Sequence, residues 1–264
     1  MWYPALRRLG GLLPFSAAML AVAVVGLLIG IAVGCTGIGG VLMIPILTLV
    51  LGIDVKHAIA AALLSYLPSG MVAVTLYARR GSIPSREAWL LCLAAMPAAY
   101  LGARAAGVAP AAFLEALIGL SLLAGGLYAL RGTGRGAAPP SPLGAPLVLV
   151  LGGGTGFVSA LTGAGGAFVL LPILLLLDVP VLSAIGLGQA IAIPIAGLAS
   201  VANVDAGLVD PVLASVLAIT SMTGIAIGTP IAHALPQQRL RRLLGVAVVV
   251  SAVAMLVRVA VRSL

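Results

Sequence analysis

Apolar runs of helix length alternate with short polar or glycine- and proline-rich stretches along this chain. In its first half the long runs cover about 14–33, 57–78, 87–106 and 111–130. A bilayer-spanning helix needs ~20 mostly apolar residues, so each run predicts a membrane-crossing helix. A shorter run at 41–51 would reach only about half to two-thirds of the way through the hydrocarbon core at 1.5 Å per residue. Polar punctuation follows at 79–86, and Pro110 opens the last of the four helices. The stretch Arg131-Gly132-Thr133-Gly134-Arg135-Gly136, with Pro139, Pro140 and Pro142, reads as the single linker. It divides the chain into a first repeat (1–131), a linker (132–144) and a second repeat (145–264).

Two apolar runs are interrupted by the same glycine-rich break. The first reads Gly34-Cys35-Thr36-Gly37-Ile38-Gly39-Gly40, with Pro45 following. The second reads Ala160-Leu161-Thr162-Gly163-Ala164-Gly165-Gly166, with Pro172 following. An offset of 126 links Thr36 to Thr162, Gly39 to Gly165, Pro68 to Pro194, Gly102 to Gly228, Pro110 to Pro236 and Gly119 to Gly245. The prolines after the breaks differ by 127, as a one-residue insertion would produce. Matching at one offset over most of each half is the signature of internal duplication.

The composition narrows the solvent to a bilayer. The 264 residues are 62% hydrophobic and 8% charged, with a mean hydropathy of +1.27. Soluble domains carry ~25% charged residues. All-helical polytopic architecture follows, with roughly eight to ten apolar segments in two repeats of four to five each. The net charge of +8 then reads as loop arginines set by the positive-inside rule rather than as a nucleic-acid surface. Arg7 and Arg8 before an apolar run resemble a signal peptide. The second repeat needs a partner for its own first helix, so a retained first helix is expected.

Loop charges bear on topology. The loop at 79–86 carries Arg79, Arg80 and Arg86, whereas its counterpart carries Asp205 and Asp210. Opposite bias at equivalent loops is what inverted repeats show. Both chain ends are basic, which points the other way. Four crossings per half give parallel repeats and five give inverted ones, so the outcome turns on the short segment. Inverted repeats are the expectation.

What the apolar interior holds is neutral. The six acids, Asp54, Glu87, Glu115, Asp178, Asp205 and Asp210, all fall in loops or near helix starts. His57 and His233 stand alone, and Cys35 and Cys92 form no short-spaced pair, so no metal, cofactor or disulfide framework is expected. The breaks bring Cys35, Thr36 and Thr162, and neighbouring helices bring Ser65, Ser69, Thr155, Ser159, Gln189, Ser200 and Asn203. A helix in lipid that breaks must hand its freed backbone groups to protein or a cavity. Matching breaks in two halves point to a transporter's substrate site. Gly39-Gly40 and Gly165-Gly166 stand at helix starts, whose unpaired N–H groups favour an anion. The expectation is that the two breaks meet near the midplane about a pseudo-twofold, with Thr hydroxyls completing the shell. Alanine at Gly39 or Gly165 is expected to obstruct the ligand while leaving packing nearly intact. Gly26, Gly30 and Gly34, with Gly152 and Gly156, read instead as close helix packing of the small-xxx-small kind.

Thr-Gly-x-Gly-Gly followed by proline, duplicated in a small helical membrane protein, resembles the TauE/SafE sulfite exporter family, over about residues 20–260. Here the breaks read Gly-Gly-Val and Gly-Gly-Ala, where many members have a third glycine. The resemblance implies a secondary carrier, an exporter in the cell's inner membrane, for sulfite, thiosulfate or related small sulfur-containing or organic anions. It carries over to Thr36, Gly37, Gly39, Gly40 and Pro45, and to Thr162, Gly163, Gly165, Gly166 and Pro172. With Cys35, Ser65 and Gln189 these make the expected substrate shell. Pro45, Pro68, Pro172 and Pro194 are expected to be structural. The partners implied are the small anion and the lipid bilayer, with a homodimer as a candidate assembly and no nucleic acid. A membrane-embedded thiol enzyme and a passive anion channel are the competing functions.

Overall fold

The computed structural model describes residues 15–36, 39–79, 83–131, 143–177, 179–234 and 237–262. Gly37, Asp178, Pro236, most of the arginine loop at 80–82 and the linker at 132–142 lie outside the described residues.

The described residues form ten helical segments and no strand. Before the linker lie α1 (Phe15–Thr36), α2 (39–50), α3 (Val55–Ala78), α4 (Ser85–Val108) and α5 (Ala111–Arg131). After it lie α6 (Ala145–Thr162), α7 (Gly166–Leu176), α8 (Val181–Asp205), α9 (Pro211–Ala234) and α10 (Gln237–Arg262). Seven of them are long and apolar enough to cross a membrane. Side chains such as Val108, Val150, Leu176 and Val50 stand well exposed on the outer surface. Lipid is the solvent that makes such a surface stable. Helix starts recur at the offset of 126, from Val55 to Val181, Ser85 to Pro211 and Ala111 to Gln237.

Segment α2 is assembled from a 3₁₀ turn (Gly39–Leu42), a short α turn (Met43–Pro45) and a π turn (Ile46–Val50). Its counterpart α7 is a continuous α-helix of 11 residues. The difference accompanies the one-residue shorter spacing from Gly40 to Pro45 than from Gly166 to Pro172.

Two glycine seams set the helix directions. Gly26 of α1 faces Leu217, Gly30 faces Ser221 and Gly224, and Gly34 faces Ile225. The register rises on both helices together, so α1 and α9 are parallel. Gly152 of α6 faces Leu91 and Gly156 faces Ala95 in the same sense, so α4 and α6 are parallel too. At both seams a backbone packs where a Cβ has no room, which is how glycine lets membrane helices approach. In the antiparallel pair α3 and α8, Gly70 meets Ile193 and Gly197 meets Leu67. In α5 and α10, Gly119 meets Leu256 and Gly126 meets Val249.

Helix ends are capped from within the chain. Asp54 caps α3 by accepting from Lys56 N at 2.9 Å, and Asp210 caps α9 by accepting from Val212 N and Leu213 N. Lys56 Nζ donates to Gly107 O at 2.7 Å, closing the end of α4. The turn between α8 and α9 is a Schellman motif, with Gly207 N bonded to Val204 O and Leu208 N to Asn203 O.

Candidate functional site: a cavity between the two chain breaks

The two breaks come together around one side chain. Tyr66 stands halfway along the 24-residue α3. Its Oη donates to Gly40 O at 2.6 Å, and its ring lies 3.6 Å from where a Cβ on Gly165 would sit. Beside it is a cavity of about 40 Å³. Gly40 and Met43 reach it from α2, and Gly165, Gly166, Ala167 and Phe168 from the start of α7. Ser69, Gln189 and Ser221 add polar groups from α3, α8 and α9.

The start of α7 is a built donor surface. Gly165 has φ +79 and ψ 148, and no side chain caps the helix. The first N–H groups of any α-helix lack an internal partner, and they carry the positive end of the helix dipole. Here those residues line the cavity. The φ of Gly165 belongs to a region open in practice to glycine alone. This corrects the expectation for alanine at that position: Gly165→Ala strains the backbone before any ligand is considered. Gly166 is closed for another reason, since a Cβ there would stand 2.6 Å from Ile191 Cγ2.

Several residues singled out by sequence are not brought to this cavity. Thr36 Oγ1 donates to Ala32 O at 2.8 Å and Thr162 Oγ1 to Val158 O at 2.7 Å, each to the carbonyl four residues back. Ser65 Oγ likewise turns to Ala62 O. Gly163, with φ +67, ends α6 and packs on Ile44 and Ile59. Cys35 Sγ donates to Gly228 O at 3.1 Å, pinning α1 to α9. Gly39 opens the 3₁₀ turn, and its place relative to the cavity lies outside what is described. Gly40, Gly165, Gly166 and Gln189 are brought together.

Prolines stand inside three of the helices around the cavity. Pro68 and Pro194 lie inside α3 and α8, and Pro172 inside α7. Pro194 deprives Ala190 O of its helical donor, and Cys92 Sγ takes that place at 3.6 Å. Both cysteines are free and both thiols are engaged with carbonyls of other helices. Pro45 leads into the π turn, where Thr48 Oγ1 donates to Ile44 O at 2.9 Å.

Three features were not singled out from the sequence. Tyr66 is one, although it is flanked by the serines that were considered. Ser221 is another: it is 3% exposed and its Oγ has no hydrogen-bond partner. The third is Arg258, taken in sequence as a charge at the chain end. It donates from α10 to Thr48 O at 2.8 Å and closes the end of α2. The acids do keep to helix starts and loops, yet Glu115 and Asp210 are only 3% and 1% exposed.

The model of the family described as sulfite exporter TauE/SafE matches residues 22–255. The chain belongs to the TauE/SafE family. Two relatives from Xylella fastidiosa, of strains 9a5c and Temecula1, are each described as a probable membrane transporter protein. Each is 29% identical over 243 residues, covering 86% of this chain and 91% of the relative. No solved structure matches. This TauE/SafE member is therefore a multi-pass membrane transporter, embedded in a lipid bilayer.

Proposed function

We propose that the protein is a secondary carrier that exports small anions across the inner membrane, with sulfite, thiosulfate and related sulfur-containing or organic anions as its substrate class. One observation carries the reading. Both chain breaks line a single cavity halfway along a spanning helix, and α7 aims its uncapped start into it. The buried, unpartnered Oγ of Ser221 is an independent donor at the same place. No carboxylate is among the described lining residues, and helix starts with neutral donors suit an anion rather than a cation. The exporting direction rests on the family's description.

The test is flux into liposomes across sulfite, thiosulfate, sulfate, sulfonates and small carboxylates. Saturation and trans-stimulation identify a carrier, whereas ohmic current identifies a channel. Gln189→Leu removes a buried amide of similar size from the cavity wall. Losing one hydrogen bond to a charged ligand costs about 1.5–3 kcal/mol, or roughly ten- to hundredfold in affinity. Unchanged anion affinity in that variant would remove Gln189 from the site.

We also read the two halves as inverted repeats. The 126 offset supports this, and so do the helix directions. Since α1 parallels α9, α4 parallels α6 and α3 opposes α8, equivalent helices run oppositely in the two halves. Segment α2 then counts as a reversal of direction, giving five per half. The expected outcome is that reporters fused to the two chain ends read the same side of the membrane. Reporters on opposite sides would establish parallel repeats.

A further inference from the structure

We infer that the central cavity selects singly charged anions over doubly charged ones of the same size. This rests on the anion-carrier reading and narrows its substrate class to monoanions such as hydrogensulfite and the sulfonates, so thiosulfate, a dianion at neutral pH, should be carried poorly. The walls are mostly apolar, through Ile29, Val33, Met43, Phe168, Ala192 and Ile225. No described lining residue carries a charged side chain.

Two of the polar groups there are already committed. Tyr66 Oη is held by Gly40 O, and Ser69 Oγ donates to Ser65 O at 2.8 Å. What remains for a ligand is the Gln189 amide, the Ser221 hydroxyl and the first N–H groups of α7. The helix start supplies about half a positive charge. With two neutral donors, that roughly balances one negative charge. A dianion leaves more than a full charge uncompensated among apolar walls, and the cost of burying charge rises with its square. Cations that reach into the fold do not relieve this, because Lys56 ends on Gly107 O and Arg258 on Thr48 O. The volume of about 40 Å³ holds a few water-sized groups, which suits a compact oxyanion.

Methanesulfonate and sulfate make the decisive pair, since both are tetrahedral about sulfur and differ by one charge. Binding is measured as the shift in melting temperature in detergent, and transport as flux in liposomes. Methanesulfonate should bind and be carried, and sulfate should be weaker on the order of a hundredfold or more.

Sulfite provides a third arm because its own proton titrates near neutral pH. Its flux, normalised to that of methanesulfonate, should rise as pH falls and the monoanion forms. Tyr66 is the only described lining residue with a titratable side chain. The other described titratable groups on the surrounding helices are Cys35 on α1, Asp54, Lys56, His57, Tyr77 and Arg79 on or beside α3, Asp205 on α8 and Asp210 at α9. None of them lines the cavity, and the methanesulfonate reference cancels their effects.

Ser221→Ala should weaken methanesulfonate binding by about tenfold at unchanged melting temperature. Equal handling of sulfate and methanesulfonate overturns the charge rule and leaves the carrier reading standing. Failure of every anion to bind or move overturns both.

Discussion

Gly156→Val should leave little folded protein, whereas Gly154→Val should be tolerated. Both glycines lie on α6. A Cβ on Gly156 would stand 2.6 Å from Ala95 O and 2.8 Å from Ala95 Cα, while one on Gly154 meets nothing within 4 Å. The obstacle at Gly156 is backbone, which cannot rotate away as a side chain can. The α4–α6 seam would have to part along its length, and the matching contact of Gly102 with Phe157 would part with it. Ordinary overpacking costs about 1–3 kcal/mol. A clash with backbone across a shared seam should exceed ~3 kcal/mol, a large share of a typical total stability. The readout is the monodisperse fraction and melting temperature in detergent for the two variants side by side. Equal melting temperatures would mean that the seam does not hold the halves together. Gly30→Val tests the equivalent seam, because a Cβ there stands 2.8 Å from Ser221 Cα.

The second large effect is expected at Tyr66. Its hydroxyl is the donor for Gly40 O at 2.6 Å, and its ring separates that glycine from Gly165. Tyr66→Phe keeps the ring and leaves a buried carbonyl without its donor, at a cost of about 1–3 kcal/mol. Tyr66→Ala also removes the ring, for about 3–5 kcal/mol in all. If the two breaks form the anion site, the Phe variant also lets Gly40 move relative to α7. Affinity should then fall by about tenfold, as expected for ~1.4 kcal/mol. The Phe variant separates the contributions, because its cavity walls are otherwise unchanged. Full stability in Tyr66→Phe would show that Gly40 O finds another donor. Full stability with lost transport would place the hydroxyl on the ligand instead.

The helices themselves were legible in the sequence for a simple reason. In lipid a backbone must satisfy its own hydrogen bonds, so a long apolar run is a helix and its polar ends are its limits. Hence the run expected at 87–106 became Ser85–Val108, and the one at 111–130 became Ala111–Arg131. The breaks were legible because Thr-Gly-x-Gly-Gly interrupts such a run twice.

The choice of residues at the cavity belonged to the tertiary structure. Thr36 and Thr162 looked like ligands, yet each satisfies itself on its own helix. Ser221 was not singled out in its apolar run, yet the α1–α9 seam buries it at the cavity with a free hydroxyl. Arg258 reaches Thr48 across a sequence separation of 210. Helical period and composition describe one segment at a time. Which face of a helix meets which neighbour, and at what height, depends on rotation and register between segments far apart in the chain. Those are set by where glycines let backbones touch, at Gly30 against Ser221 and at Gly156 against Ala95. No single segment carries that information, so only the packed structure could decide it.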